Sequence, residues 1–245
     1  MQQKTFTATA GPVVTAISSM TGVIRAIVVP GLTQARVTVR TADDSGRAAD
    51  AVAGAEIRQD GRLLSVVVPP VESGNTSFNN GSTVFQSFGT VHRGEEVVGM
   101  VIDGDFNVAG GTEFGQPRTG KAASEIDVLL ELPEGSDLGV RTELAATISA
   151  GGALRNVDLK SGVGSVVLDR VVGELTAKTG TGSILVRDYA GTRATLKTGV
   201  GTIDVHVSND ASGDLSAMSG VGNVAVRGAT HLRVSAKSSI GRVTR

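Results

Sequence analysis

From residue 161 onward, apolar and polar residues alternate with a period of two, in short runs broken by glycine. Val166 and Leu168, Ile184 and Val186, Ile203 and Val205, and Val224 and Val226 are apolar pairs two residues apart. Such spacing puts both members of a pair on one face of a strand. The position before each pair is polar (Ser165, Ser183, Thr202, Asn223), and the position between is mixed (Val167, Leu185, Asp204, Ala225). A second strand in each unit carries Leu175 and Ala177, Ala194 and Leu196, Leu215 and Ala217, or Val234 and Ala236.

The breaks repeat as well. Ser161-Gly162-Val163-Gly164, Thr179-Gly180-Thr181-Gly182, Thr198-Gly199-Val200-Gly201 and Ser219-Gly220-Val221-Gly222 recur at intervals of 18 to 21 residues. Ser238-Ser239-Ile240-Gly241 opens a further unit, and Thr142-Glu143-Leu144-Ala145 is a weaker copy upstream. The glycines mark corners, where a positive φ is expected. A unit of about 19 residues cannot bury its own apolar face, but stacked units can. The pattern therefore predicts an all-β chain ending in a β-solenoid, with strands bonded from coil to coil about 4.8 Å apart.

The first half is also β in pattern, though less regular. Strand-like runs cover 23–29 and 35–41, and Asp60-Gly61 between two such runs predicts a hairpin. Residues 127–132 form another strand, closed by Pro133-Glu134-Gly135. No stretch has the periodicity of an amphipathic helix. The organisation expected is an N-terminal β region (1–70), a Gly/Ser/Asn-rich insertion or set of variant coils (71–123), and the solenoid (124–245).

Glu125–Pro133 followed by Glu134-Gly135-Ser136, and then the recurring Lys-Thr-Gly-x-Gly-x-Ile corners, resembles the bacterial domain-of-unknown-function family labelled "putative adhesin". The likeness extends to Phe6, Ile24, Val39 and the Gly61-Arg62-Leu63 to Val68-Pro69 run, and leaves out 71–123. It implies a β-solenoid without catalytic residues or cofactors, and a link to cell-surface or envelope-stress systems.

Composition narrows the picture further. The chain of 245 residues holds 33 glycines, no Trp and 3% aromatics, so the core must be built from Val, Ile, Leu and Ala. Cysteine is absent, which excludes disulfides and thiolate metal sites. The N-terminus has no apolar h-region and no apolar run reaches 18 residues. A cytoplasmic protein is the expectation, with signal-independent export left open.

Little in the sequence suggests chemistry. The histidines (His92, His206, His231) lie in no recognisable motif, and His206 falls in an outward column with Asp169, Arg187 and Arg227. A cross-coil Asp169–Arg187 pair is expected there. Asp103, Asp105 and Asn107 alternate as in a calcium loop, but Val108 and Phe114 stand where its glycine and bidentate glutamate belong. The Gly-x-Gly corners are not phosphate loops, because no Lys-Ser/Thr follows. The solenoid carboxylates fall in different columns, so a polysaccharide-acting enzyme is the least favoured reading.

One surface feature stands out. The residue before each corner is Lys160, Lys178, Lys197, Met218 or Lys237, and residues 161–245 carry ten Lys/Arg against six Asp/Glu. Stacking would align these lysines as a basic stripe for an anionic polymer, a lipid surface, an acidic protein or an envelope-associated protein. Nucleic acid is not expected, because Tyr189 is the one aromatic there. The first reading is a self-associating structural scaffold, with Arg242, Val243 and Arg245 at its assembly end. The alternative is a binding module that uses the lysine stripe.

Overall fold

The period-two runs become strands throughout the computed structural model, which describes residues 1–71, 91–93, 96–99, 125–228 and 232–245. In chain order the elements are β1 (Gln2–Ala10), β2 (Val14–Ser19), β3 (Gly22–Val28), β4 (Gln34–Thr41), α1 (Arg47–Ala53), β5 (Glu56–Asp60) and β6 (Leu63–Val67). Then come β7 (Val91–Arg93), β8 (Glu96–Gly99), β9 (Ile126–Leu132), β10 (Asp137–Leu154), β11 (Val157–Val163), β12 (Val166–Val171) and β13 (Glu174–Thr181). The last are β14 (Ile184–Tyr189), β15 (Arg193–Val200), β16 (Ile203–Val207), β17 (Asp214–Val221), β18 (Val224–Arg227), β19 (Arg233–Ile240) and β20 (Val243–Thr244). The chain divides into one unit of Met1–Val71 with Ala123–Arg245 and a second of Glu72–Ala122, whose described part is the antiparallel pair β7–β8.

The described residues are all-β apart from α1, and the first unit is built on two large sheets. Beyond β10, each strand pairs in parallel with the strand two elements later. Sheet I runs through β11, β13, β15, β17 and β19. Sheet II runs through β12, β14, β16, β18 and β20. The long strand β10 serves both, pairing with β11 and β2 through its first residues and with β12 and β3 through its last. Sheet I then continues through β2 to β6 and the hairpin partner β5. Sheet II continues through β3 to β9, and from there antiparallel to β4 and β1. Asp60-Gly61 makes the expected hairpin turn, with Gly61 at φ 55°.

The inward columns are those read from the sequence. Val166, Leu168, Ile184, Val186, Ile203, Val205, Val224 and Val226 are buried, as are Leu175, Ala177, Ala194, Leu196, Leu215, Ala217 and Ala236. Val234 is half-buried. Tyr189, the single tyrosine, is also fully buried, and its hydroxyl donates to the Gly173 carbonyl at 3.3 Å. It therefore fills the core and has no face free to stack on a base.

Two expectations need correction. The helix α1 has no counterpart in the sequence reading. It has seven residues, too few to show a helical period, and Gly46 at its N-terminus offers no side-chain cap. Burial of Ala48, Ala49, Ala51 and Val52 holds it instead.

The second correction concerns the corners, where the two glycines do different work. Gly164, Gly182, Gly201, Gly222 and Gly241 have φ between 137° and 148°, as expected. Gly162, Gly180, Gly199 and Gly220 do not have positive φ. They are needed for proximity: a Cβ on Gly199 would stand 2.5 Å from the Gly180 carbonyl oxygen, and one on Gly180 would stand 2.6 Å from that of Gly162. The unit below approaches too closely for any side chain.

The register makes a direct prediction. Ile203→Ala should cost about 2–5 kcal/mol, because it opens a cavity in a filled column. Thr202→Ala, on the exposed side, should change stability by no more than about 0.5 kcal/mol. Denaturant unfolding of both variants measures this, and the opposite order would place the register one residue off.

Candidate functional site

The corner that carries the lysines is held by a column of buried hydroxyls. Thr142, Ser161, Thr179, Thr198 and Ser219 are all about 5% exposed or less, at the inward position that opens each motif. Thr198 donates through Oγ1 to the Gly182 carbonyl at 2.9 Å, and Ser219 donates to that of Gly201 at 2.9 Å. Ser238 does the same to Gly222 at 2.7 Å, and Thr179 to Gly164 at 3.2 Å. In each case the acceptor is the second glycine of the preceding corner. A buried carbonyl left without a donor costs about 1–3 kcal/mol. This explains the Ser or Thr at Thr179, Thr198, Ser219 and Ser238, a reason the sequence alone did not show; Ser161 donates instead to the Val163 carbonyl at 3.1 Å, and Thr142 to Ser161 Oγ at 3.0 Å.

One residue before the hydroxyl, the chain points outward. Lys160 pairs in register with Lys178, Lys178 with Lys197, Lys197 with Met218, and Met218 with Lys237. The four lysines are exposed and Met218 is half-buried. The row extends one strand further, because Arg141 pairs with Lys160 and is exposed too. Arg141 was missed in the sequence, although the weak copy at Thr142 marks its place. None of these five cations forms an ion pair or side-chain hydrogen bond with a described residue.

The neighbouring charges behave differently. At the far edge of sheet I, Glu174 pairs with Arg193 at 3.6 Å and Asp214 with Arg233 at 3.5 Å. Between that ladder and the cation row lies a line of Asp158, Thr176, Thr195, Ser216 and Ser235. On sheet II, Arg187 meets Asp169 at 3.4 Å, the pair expected from the sequence. Arg227 meets Asp204 at 3.1 Å and Arg170 meets Asp188 at 2.8 Å. His206 is exposed and in register with Arg227. A shallow depression of about 820 Å³ opens on sheet I, with Arg141, Lys178, Asp158 and Gly139 among its lining residues.

The best-anchored charge is Asp137, at the start of β10. Its carboxylate accepts from Arg155 Nε at 2.9 Å, from the Arg155 guanidinium again, and from the Asn156 backbone N–H and Nδ2, each at 3.1 Å. Burial alone would raise its pKa. The hydrogen bonds from Arg155 and Asn156, with the Arg155 charge, outweigh burial and hold the carboxyl below the usual range. Asn156 Oδ1 in turn accepts the Glu174 N–H at 2.9 Å, so the cluster ties β10 to β13.

The proposed assembly-end residues lie on the last strands. Arg242 donates its backbone N–H to Asn223 Oδ1 at 2.9 Å, and Arg245 Nη2 donates to the Ala236 carbonyl at 3.0 Å. Val243 pairs with Val224 and is 37% exposed. Asp103, Asp105, Asn107 and His231 lie outside the described residues. Among the described residues no group of three or more His, Cys, Asp or Glu could hold a metal, and no helix is long and apolar enough to cross a membrane.

No family model matches the chain, and no curated protein does. Solved structures align with it along nearly their whole length. A "putative adhesin" from Bacteroides fragilis NCTC 9343 is 14% identical, with 99% of this chain and 96% of that one covered and a TM-score of 0.44. A "putative cell adhesion protein" from Clostridium sporogenes ATCC 15579 is 12% identical, with 99% and 97% covered and a TM-score of 0.34. A "putative lipid binding protein" from Parabacteroides distasonis ATCC 8503 is 11% identical, with 99% and 94% covered and a TM-score of 0.31. Of these three, the first carries the adhesin name of the family that the sequence motifs resemble.

The Asp137 cluster predicts a response to acid. A carboxylate with a depressed folded pKa contributes stability above its unfolded pKa of about 3.9 and loses it as pH falls through the folded value. Stability should therefore drop below about pH 4, and Asp137→Asn should flatten that drop while lowering stability at neutral pH. Denaturant midpoints measured stepwise from about pH 6 to about pH 2.5 test this. Parallel curves for the two proteins would remove Asp137 from the account.

Proposed function

We propose that the protein is a non-catalytic β-solenoid scaffold that binds an anionic partner through the row Arg141, Lys160, Lys178, Lys197 and Lys237. The solenoid reading is supported by the two parallel ladders, each joining a strand to the one two elements later, and by corners that repeat with them. The non-catalytic reading is supported by the carboxylates: Asp169, Glu174, Asp188, Asp204 and Asp214 each face an arginine, not a second acid across a cleft.

The observation that carries the binding role is the contrast between rows. Arginines in the flanking columns have counter-charges, whereas the row beside the corner has none among the described residues. Arg141, Lys160, Lys178 and Lys197, stacked on successive strands about 4.8 Å apart, repel one another along the row, and an anion laid across several of them relieves that repulsion. Binding of dextran sulfate and polygalacturonate, followed by calorimetry, provides the test. Affinity should fall as salt rises, and Lys178→Glu/Lys197→Glu should weaken it by about 10-fold or more. Equal affinity in the double variant would exclude the row.

Ile240 on β19 and Val243 on β20 are 67% and 37% exposed, which favours self-association as a second reading. A second copy laid against these strands would cover both side chains. Light scattering at high micromolar concentration should then give a mass above the monomer's, and Thr244→Pro should lower it. A monomeric mass for the unaltered protein overturns this reading.

A further inference from the structure

The corner presents a second row beside the lysines. The third residue of each motif is Val163, Thr181, Val200, Val221 or Ile240, and the row is in register from strand to strand. The four aliphatic members are 49%, 49%, 43% and 67% exposed. They follow the lysine row by three residues, and Gly162, Gly180, Gly199 and Gly220 leave most of the strip between the two rows without side chains. The result is a ridge with an aliphatic crest and a cationic flank. The fold does not require the crest to be apolar: Thr181 occupies the same position, with the same pairing, on β13.

We propose that this ridge seats on the surface of an anionic lipid bilayer. The proposal rests on the anionic-partner reading above and names the partner. A bilayer interface supplies both things the ridge lacks. Phosphate headgroups meet the lysines, and the headgroup–acyl boundary takes up the aliphatic crest. The lysine stems add apolar surface at the same depth. A soluble polyanion would neutralise the flank but would leave Val200, Val221 and Ile240 in water. A stable protein interface uses roughly 20–30 residues on each side, far more than this narrow crest offers.

The test uses the full chain with vesicles of phosphatidylcholine alone and of phosphatidylcholine with phosphatidylglycerol, read by co-sedimentation. A parallel arm measures dextran sulfate binding. Wild type should bind the anionic vesicles and leave the zwitterionic ones. Val200→Thr/Val221→Thr/Ile240→Thr takes Thr181 as its precedent and should keep the wild-type melting temperature. This variant should lose roughly 10-fold in vesicle partition and keep its dextran sulfate affinity. Lys178→Glu/Lys197→Glu should lose roughly 30-fold or more toward the vesicles, and should lose dextran sulfate as well.

Undiminished vesicle binding by the threonine variant overturns the bilayer proposal. So does a wild type that binds dextran sulfate but no vesicles, and in that case the anionic-partner reading stands. If the wild type binds neither, both fall.

Discussion

At each corner the backbone of one unit rests on the backbone of the next with no side chain between them. A Cβ on Gly201 would lie 2.1 Å from the Gly182 carbonyl oxygen, and one on Gly182 would lie 2.0 Å from that of Gly164. Contact this close is open only to glycine. It holds successive units in one register, so that residue types recurring in sequence are stacked in space. The inward hydroxyl acts on the same contact. Thr198 and Ser219 donate to the carbonyls that the close approach would otherwise strand without a partner. Sterics and hydrogen bonding thus select a single four-residue motif, and the columns on both sheets follow from it.

Register has consequences for both core and surface. Inside, it stacks Ile184, Ile203 and Val224 in one line and Leu196, Ala177 and Ala217 in another, so a thin core fills without large rings. Outside, it turns a residue repeated every 18 to 21 positions into a continuous row. Where the rows carry opposite charges in successive units, as at Glu174 and Arg193, they neutralise one another across the ladder. Where the repeated residue is lysine, no partner follows in the row, and the charge is left for something outside the described chain. The proposed binding role comes from this difference between an alternating column and a uniform one.

Much of this architecture could be read from the chain itself. Period-two alternation and repeating corners specified the strands, the inward pairs and the lysine row, because both depend only on spacing and residue type. Three things were hidden there. The helix over Arg47–Ala53 is too short to show a period and is held by contacts distant in sequence. The role of Gly180 and Gly199 depends on what lies in the next unit, not on their own φ. The hydroxyl column was visible as a recurring Ser or Thr, but the carbonyl it serves lies 15 to 18 residues away.

The candidate site divides along the same line. The sequence by itself determined that lysines recur one residue before each corner, since a repeat fixes composition at each position. Only the tertiary structure decided that Arg141 joins them, that they lack counter-charges among the described residues, and that Val163, Val200, Val221 and Ile240 face outward. Simple alternation from the buried hydroxyl would have turned those aliphatic residues inward. The bend at the two glycines breaks that alternation and brings the residue between them out to the corner, because only a backbone free of Cβ can turn so tightly against its neighbour.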